Sequence, residues 1–284
     1  MRSPMRTFPW LCCALLLTGL PARAQLSYKT VDRNVIEQRL DHLPKSDAER
    51  EAVLKEMFGE VGCGTKLSEE PVPRLREPNL ICVLPGKTDA VIIVSAHFDH
   101  IAAGDGAADN WTGASLLPSL YESLSGTSRR YTFTFIGFGG EEKGLVGSKY
   151  YVSALSAEEK AKVRAIVNID TLGLSPTKVW RTYSDPELVN LLIRTSDVME
   201  LPLAAVNVEG VGNDDADPFR RAKIPSITIH SVTQETLAIL HTHDDTLRAV
   251  NLSYYFETYR LVTRYLTFLD MFLPERQVAP PRSK

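Results

Sequence analysis

The chain has 284 residues, of which 44% are hydrophobic and 24% are charged, and its formal net charge at pH 7 is −3. This composition is typical of an ordinary globular protein, and the length suits one large domain or two small ones. The slight excess of acidic residues argues against nucleic acid or an anionic membrane as a partner.

The amino terminus has the pattern of a secretory signal peptide. Two arginines precede an apolar run at residues 10–20, and Ala22-Arg-Ala24 supplies a small-x-small cleavage site. The run is short for a membrane span, which needs roughly 20 apolar residues. We predict that residues 1–24 are removed and that residues 25–284 form a single domain of a secreted or periplasmic protein. Loss of the arginines in this leader makes the remaining chain more acidic.

The cysteine positions predict one disulfide. Cys12 and Cys13 lie in the predicted leader, so Cys63 and Cys82 remain in an oxidising compartment. We predict that they pair, which would stabilise the fold by on the order of 3 kcal/mol through the entropy of a closed loop. Two buried free thiols are the alternative.

Predicted helices and strands alternate along the chain. Residues 32–43 and 46–58 have apolar residues at helical spacing, with Asp32 and Ser46 as N-caps. Residues 63–78 are polar and rich in proline, which predicts a surface loop. Strands are then predicted at residues 79–84, 90–95, 131–138, 163–170, 202–208 and 224–229, and helices at residues 114–124, from about 145, at 187–199 and at 252–272.

This alternation predicts a three-layer α/β/α sandwich with a mostly parallel central sheet. The Val-Ile-Ile-Val run at residues 91–94 is apolar on both faces, as expected of a central strand that helices cover on both sides. The acidic, glycine-containing segment 210–217 lacks the spacing of a calcium loop, so we interpret it as a binding-site loop.

Polar residues follow several of the predicted strands. In parallel sheets the carboxyl ends of the strands share one edge, where ligands bind. Imidazole and carboxylate groups together suit zinc or a similar ion, and one carboxylate can bridge two ions roughly 3.5 to 4 Å apart. Taken singly, each residue is more simply a polar group with local hydrogen bonds. The candidates at these ends are His97, Asp99, Asp109, Glu141, Glu142, Asp170, His241 and His243.

The order of these motifs resembles the M28 peptidase family of co-catalytic zinc aminopeptidases, over a core of about residues 79–272. His97-Phe-Asp99 is similar to the family's His-x-Asp, which implies that His97 binds one zinc and that Asp99 orients it. The resemblance further implies that Asp109 bridges two zinc ions and that Asp170 completes the shell of the first ion.

The acid pair and the last histidine motif complete the resemblance. Glu141 matches the family's general base and Glu142 a ligand of the second zinc. His241-Thr-His243 resembles the start of His-Thr-Pro-x-Asp-Thr, which implies that His241, and not His243, is the ligand that shares the second zinc with Glu142. The implied function is hydrolysis of the N-terminal bond of peptide substrates with two zinc ions per chain. A zinc-activated water attacks the carbonyl, and Glu141 passes its proton to the leaving amine.

Some positions depart from the family pattern. His243 stands where the family usually has proline, and Ala216 replaces a histidine after Asp215. Trp111 and Phe138 are further candidates for a pocket wall, with core packing as the simpler interpretation. His100 is expected beside the ligands, and His42 and His230 are interpreted as structural residues.

Three alternatives stay open at this point. Glutaminyl cyclases share this fold and much of the ligand set but use one zinc. A catalytically silent binding ectodomain would have lost ligands, whereas all those implied by the resemblance are present here. Carboxypeptidase or dipeptidase specificity is also compatible with the same catalytic residues.

Overall fold

The computed structural model describes residues 28–210 and 212–274. The predicted signal peptide lies outside the described residues, so the division into a leader and a single domain stays a prediction. Within the described part of the chain, no helix combines the length and the apolar character needed to cross a membrane.

An eight-stranded sheet lies at the centre of the fold. Its strands are β1 (Leu67–Glu70), β2 (Asn79–Leu84), β3 (Val91–His97), β4 (Thr132–Phe138), β5 (Val163–Ile169), β6 (Lys178–Trp180), β7 (Ala204–Val206) and β8 (Ser226–His230). The spatial order is β1-β2-β4-β3-β5-β8-β6-β7. The four central strands are mutually parallel, while β2 and β6 join them in antiparallel fashion on either side. The prediction of a mostly parallel sheet is confirmed.

Helices cover both faces of the sheet. They are α1 (Arg33–Asp41), α2 (Asp47–Glu60), α3 (Thr112–Ser125), α4 (Val146–Ala154), α5 (Ala157–Lys162), α6 (Pro186–Met199), α7 (Asp217–Arg221) and α8 (Leu252–Phe272). The larger hydrophobic core contains residues of α1, α2, α3, α6 and α8, whereas α4 and α7 contribute to a smaller core on the other face. The three-layer architecture is therefore confirmed.

The alternation of side chains along the strands explains the two cores. Ile92 and Val94 of β3 pack into the larger core, and Ile93 between them packs into the smaller one. Successive side chains of a strand point to opposite faces, so a strand covered on both sides must be apolar throughout. The run that predicted a central strand therefore lies at the centre of the sheet.

The predicted caps of the first two helices are confirmed. The Asp32 carboxylate accepts a hydrogen bond from the main-chain N–H of Asn34 at 2.8 Å. Ser46 and Glu49 form a capping box at the start of α2. These caps satisfy N–H groups that a helix leaves without partners at its amino end.

Several short elements differ from the sequence-based expectations. The segment 63–78, expected to be a loop, contains β1, which pairs with β2 at the edge of the sheet. β1 was missed because its Leu-Ser-Glu-Glu sequence has little strand propensity and no buried side chain. α5, β6 and α7 were also missed, since elements of three to six residues carry too little periodicity to detect.

The predicted disulfide between Cys63 and Cys82 is present, and the Cα atoms are 6.2 Å apart. Cys63 follows α2 and Cys82 lies in β2. The bond therefore joins the amino-terminal helices to the sheet.

Candidate metal centre

Five polar side chains from separate parts of the chain meet beside the carboxyl ends of the central strands. His97 is the last residue of β3, Asp170 follows β5, and Glu142 lies in the turn after β4. Asp109 lies in an irregular turn before α3, and His241 lies in the loop between β8 and α8. Because β3, β4 and β5 are parallel neighbours, their ends open on one edge of the sheet.

The carboxylate of Asp109 lies between the two histidines. Its Oδ1 is 3.3 Å from His97 Nε2, and its Oδ2 is 3.2 Å from His241 Nε2. Asp170 Oδ1 lies 3.5 Å from His97 Nε2, and Glu142 Oε2 lies 3.1 Å from His241 Nε2. A carboxylate that bridges two cations has this arrangement, with one oxygen directed to each side.

The chemistry of these donor atoms fits a metal ion. Donor atoms of His97, Glu141 and Asp170 lie within 4.8 Å of one another, as do those of His97, Asp109 and Glu142. Imidazole nitrogen and carboxylate oxygen are ligands of zinc and similar ions. Glu142 Oε1 is buried and has no hydrogen-bond partner among the described residues. A cation would supply the partner that this oxygen lacks.

Asp99 supports the acid pair. Its carboxylate oxygens accept hydrogen bonds from the main-chain N–H groups of Glu141 (3.0 Å) and Glu142 (3.2 Å). Its Oδ1 is 3.7 Å from His97 Nδ1, and its main-chain oxygen is closer to that nitrogen, at 3.2 Å. Asp99 therefore links the β3 end to the turn that carries Glu141 and Glu142.

Asp245 is a residue of this site that the sequence analysis did not single out. Its carboxylate accepts hydrogen bonds from the main-chain N–H groups of Ala108 (2.6 Å) and Asp109 (3.2 Å). The loop of His241 thereby holds the turn of Asp109. Asp245 belongs to the motif that begins at His241, and this position was the sequence signal that could have identified it.

Asn110 holds the same turn from the other side. Its Oδ1 accepts hydrogen bonds from the N–H groups of Gly113 (3.0 Å) and Thr171 (3.1 Å), and its Nδ2 donates to the main-chain oxygen of Ile169 (2.9 Å). The peptide bond between Asp109 and Asn110 is cis. These contacts connect the Asp109 turn to the end of β5, where Asp170 lies.

The crowding of acids changes their proton affinity. Burial raises the pKa of Glu141 to about 10, and the carboxylates of Asp215 and Asp170 add to this effect. Burial and the carboxylate of Asp109 raise the pKa of Glu142 to about 7. Negative charge so concentrated and buried favours a bound cation.

The histidines and Asp109 stabilise one another's charged forms. The hydrogen bond to Asp109 raises the pKa of His241 to about 9. Burial opposes the ionisation of Asp109, but hydrogen bonds to His241 and His97 outweigh it and lower the pKa of Asp109 below its ordinary value. A metal ion that binds these imidazoles must displace their protons, so binding releases protons.

The remaining candidates lie elsewhere. His243 is exposed to solvent. His100 Nδ1 lies 2.8 Å from the Asp47 carboxylate of α2, so it contacts that helix. Trp111 and Phe138 are fully buried and belong to the two cores, which agrees with the packing interpretation.

Comparison with known proteins identifies the family. Residues 79–266, more than half of the chain, match the family model of peptidase family M28. The chain belongs to peptidase family M28.

Curated relatives of this M28 chain include longer proteins. It is 34% identical over 150 residues to leupeptin-inactivating enzyme 1 of Streptomyces exfoliatus, a match that covers 52% of this chain and 34% of the relative. It is 26% identical over 220 residues to aminopeptidase YwaD of Bacillus subtilis, which covers 74% of this chain and 46% of the relative. The matches therefore span less than half the length of either relative.

Solved structures share the fold. LapA aminopeptidase of Legionella pneumophila superposes with a TM-score of 0.76 at 22% identity, covering 86% of this chain and 73% of LapA. A glutaminyl cyclase from an Acidobacteriales bacterium superposes with a TM-score of 0.68 at 19% identity, covering 84% of this chain and 93% of the cyclase. At these identities the likeness concerns the fold alone.

A cavity of about 740 Å³ opens above the candidate ligands of the M28 chain. Its wall includes Trp180, Val232, Leu237 and Leu240, and His230 stacks on Trp180 with the ring centroids 3.8 Å apart. Trp180 was missed because it ends the three-residue strand β6. The cavity thus combines an apolar wall with a strongly polar floor.

Proposed function

We propose that this M28 protein is a dizinc exopeptidase that hydrolyses the N-terminal peptide bond of peptides. The position of the Asp109 carboxylate between His97 and His241 carries this proposal. One zinc ion would be held by His97, Asp170 and Asp109, and the other by His241, Glu142 and Asp109. The family resemblance supports this ligand set, and so do the distances of 3.1 to 3.5 Å between the two imidazoles and these carboxylates.

Glu141 is the proposed general base. When bound, two zinc ions supply the Lewis acidity that polarises a peptide carbonyl and lowers the pKa of a water. Glu141 accepts the proton of the attacking water and returns it to the amine that leaves. A carboxylate oxygen of Glu141 lies within 4.8 Å of donor atoms of His97 and Asp170, which places it beside the proposed ligands of the first ion.

The protein supports this role by holding Glu141 and by adjusting its charge. The hydrogen bond from Glu141 N–H to Asp99, at 3.0 Å, fixes the main chain of the base. Burial and neighbouring acids raise the pKa of Glu141 to about 10. Positive charge in the centre favours ionised Glu141, so the same group becomes a competent base once the centre is filled.

The cavity favours peptides with an apolar first residue. Trp180, Val232, Leu237 and Leu240 provide an apolar wall close to the polar floor. An apolar side chain gains about 25 cal/mol per Å² of surface that it removes from water. We therefore expect leucyl or phenylalanyl substrates to be cleaved faster than glutamyl substrates.

The test combines metal analysis with a substrate panel. Purified protein should contain two zinc ions per chain, and it should cleave aminoacyl anilides but not their N-acetylated forms. Removal of zinc by a chelator should abolish cleavage, and added zinc should restore it. Turnover that persists without metal, or faster cleavage of the blocked substrates, would contradict an aminopeptidase.

We also propose that the protein is exported. The signal-peptide pattern and the disulfide between Cys63 and Cys82 support this. Mass spectrometry of protein from the culture medium or periplasm should find a chain that begins at Gln25. A chain that keeps its leader in the cytoplasm would contradict it.

A glutaminyl cyclase is the second candidate, since the superposition on such an enzyme covers 93% of the cyclase chain. This function predicts one zinc ion per chain. It also predicts that a peptide with N-terminal glutamine loses ammonia and keeps all its peptide bonds. A catalytically silent ectodomain predicts no turnover in either assay.

A further inference from the structure

Arg50 of α2 is a fully buried arginine that lies outside the family match. Its guanidinium donates hydrogen bonds to the main-chain oxygens of Phe98 (3.3 Å), Gly106 (3.1 Å) and Asp105. It also lies over the ring of Trp111, 5.7 Å from the centroid. One side chain from the amino-terminal helices therefore contacts both ends of the loop 98–106.

This loop connects two candidate metal ligands along the chain, His97 and Asp109. Phe98 directly follows His97, and Gly106 lies three residues before Asp109. Gly106 has a φ of +55°, and an added Cβ would lie 2.5 Å from His100 Cβ and 3.0 Å from Arg50 Nη2. The main chain is therefore packed tightly at the point where Arg50 binds it.

The same loop contacts the segment that follows His241. Asp105 N–H donates to the main-chain oxygen of Asp245 at 2.9 Å. A Cβ on Gly104 would lie 2.1 Å from the main-chain oxygen of Thr242. Displacement of the loop would thus disturb both histidines and Asp109 together.

A guanidinium suits this place better than an apolar side chain would. Burying a charge is costly unless it is compensated, and the Arg50 guanidinium is compensated by hydrogen bonds to main-chain oxygens and by the attraction of nearby carboxylates, chiefly those of Asp47 and Asp245. Its planar fork can hold several carbonyl oxygens in fixed directions, which neither lysine nor methionine can do. A side chain needed only for packing could be apolar.

We propose that Arg50 is a positioning residue of the metal centre, which holds the loop 98–106 so that His97, Asp109 and His241 converge. The inference rests on the proposed function in that it requires zinc at this centre. It assigns to the amino-terminal helices a part in metal binding, although they lie before the family match.

The test uses Arg50→Met, Arg50→Lys and a matched control, Arg39→Met. Arg39 also joins the amino-terminal helices to the rest of the fold, through Ser119 (2.7 Å) and Glu122 (2.9 Å) of α3. Zinc dissociation constants would be measured by competition with a chelator, and the cobalt-substituted proteins would be compared by absorption spectroscopy. Denaturant unfolding of the zinc-free proteins would give their stability separately.

We expect Arg50→Met to weaken zinc binding by about 10- to 100-fold, as residues that orient metal ligands commonly do, and to alter the cobalt spectrum. Arg50→Lys should lie between Arg50→Met and the wild type, because its single ammonium reaches fewer carbonyl oxygens. Arg39→Met should lower the stability of the zinc-free protein and leave both metal readouts unchanged.

A zinc affinity and a cobalt spectrum that both match the wild type in Arg50→Met would overturn the proposal. Should Arg50→Met fail to fold, Arg50→Lys and Gly106→Ala test the same contact from its two sides, and unchanged zinc affinity in both would reject it. A wild-type protein that binds no zinc would instead reject the proposed function.

Discussion

The polar groups at the two ends of β4 differ in whether they find hydrogen-bond partners within the protein. At the amino end, the Asp270 carboxylate of α8 accepts hydrogen bonds from the main-chain N–H groups of Arg130 and Tyr131, at 2.8 to 3.0 Å. The Tyr131 hydroxyl donates to the main-chain oxygen of Leu273 at 2.7 Å. At the carboxyl end, Glu141 and Glu142 lie among other buried acids, and both have raised pKa values.

This difference separates stability from function along a single strand. Polar groups that find partners within the protein help to hold α8 against the sheet. Acids that crowd one another cost folding free energy, and a protein keeps such a cluster where a ligand or a reaction needs it. Substitutions at the amino end should therefore change stability, and substitutions at the carboxyl end should change activity.

The largest effect is expected at the carboxyl end, for Glu141→Gln. Loss of a general base should reduce kcat by about 10²- to 10⁴-fold, because proton transfer then lacks its acceptor. Zinc content should stay at the wild-type value, since Glu141 is outside the proposed ligand set. Steady-state kinetics and metal analysis of the same preparation would check both expectations.

The neighbouring variant Glu142→Gln provides the contrast. It should lose affinity for zinc, because Glu142 is a proposed ligand whose Oε2 lies 3.1 Å from His241 Nε2. Substantial turnover in Glu141→Gln, or equal loss of zinc in both variants, would contradict the division of roles within the acid pair.

A moderate effect on stability is expected at the amino end, for Asp270→Ala. The N–H groups of Arg130 and Tyr131 would lose their acceptor, which should lower the free energy of unfolding by about 1 to 3 kcal/mol. Because Asp270 lies at the opposite end of the strand, kcat should not change. Urea unfolding and kinetics would be compared with Asp270→Asn, which keeps one acceptor oxygen. A fall in kcat with unchanged stability would refute the comparison of the two ends.

The last prediction, whose effect builds up gradually with pH, is a pH dependence in the stability of the zinc-free protein. The pKa of Glu141 is about 10 in the folded state, against an ordinary value of 4.5. Between these pH values the folded state holds a proton that the unfolded state has lost, so stability falls as the pH rises above 4.5. The limiting slope is about 1.4 kcal/mol per pH unit.

Glutamine does not titrate, so the stability of Glu141→Gln relative to the wild type should increase from pH 4.5 to pH 7. Urea unfolding in the presence of a chelator would measure this difference. A stability difference that is independent of pH would show that Glu141 does not carry the raised pKa.

The residues that follow apolar strands were the most accessible to sequence analysis. His97 and Asp170 come directly at the ends of β3 and β5, so the strand pattern alone places them on one edge. Asp109 and His241 lie in loops, whose course no periodicity specifies. Both were candidates because they follow predicted strands, but their roles as metal ligands came only from the resemblance of whole motifs to a family.

Sequence analysis could not reveal contacts between segments that are distant along the chain. Arg50 lies 48 residues before Phe98, whose main-chain oxygen is the first that it binds in the loop 98–106. The helical periodicity of α2 gives no reason to single Arg50 out. β1, at the edge of the sheet, and β6, between β8 and β7, were missed because they are short strands whose conformation depends on pairing with neighbours. Local propensity cannot report such pairing.

The bond between Cys63 and Cys82 has a practical consequence for producing the protein. It anchors the end of α2, and hence the helix of Arg50, to β2. A reducing bacterial cytosol would yield chains that lack this anchor, whereas an oxidising host compartment would form it. The choice of expression host therefore decides which covalent form of the molecule is purified.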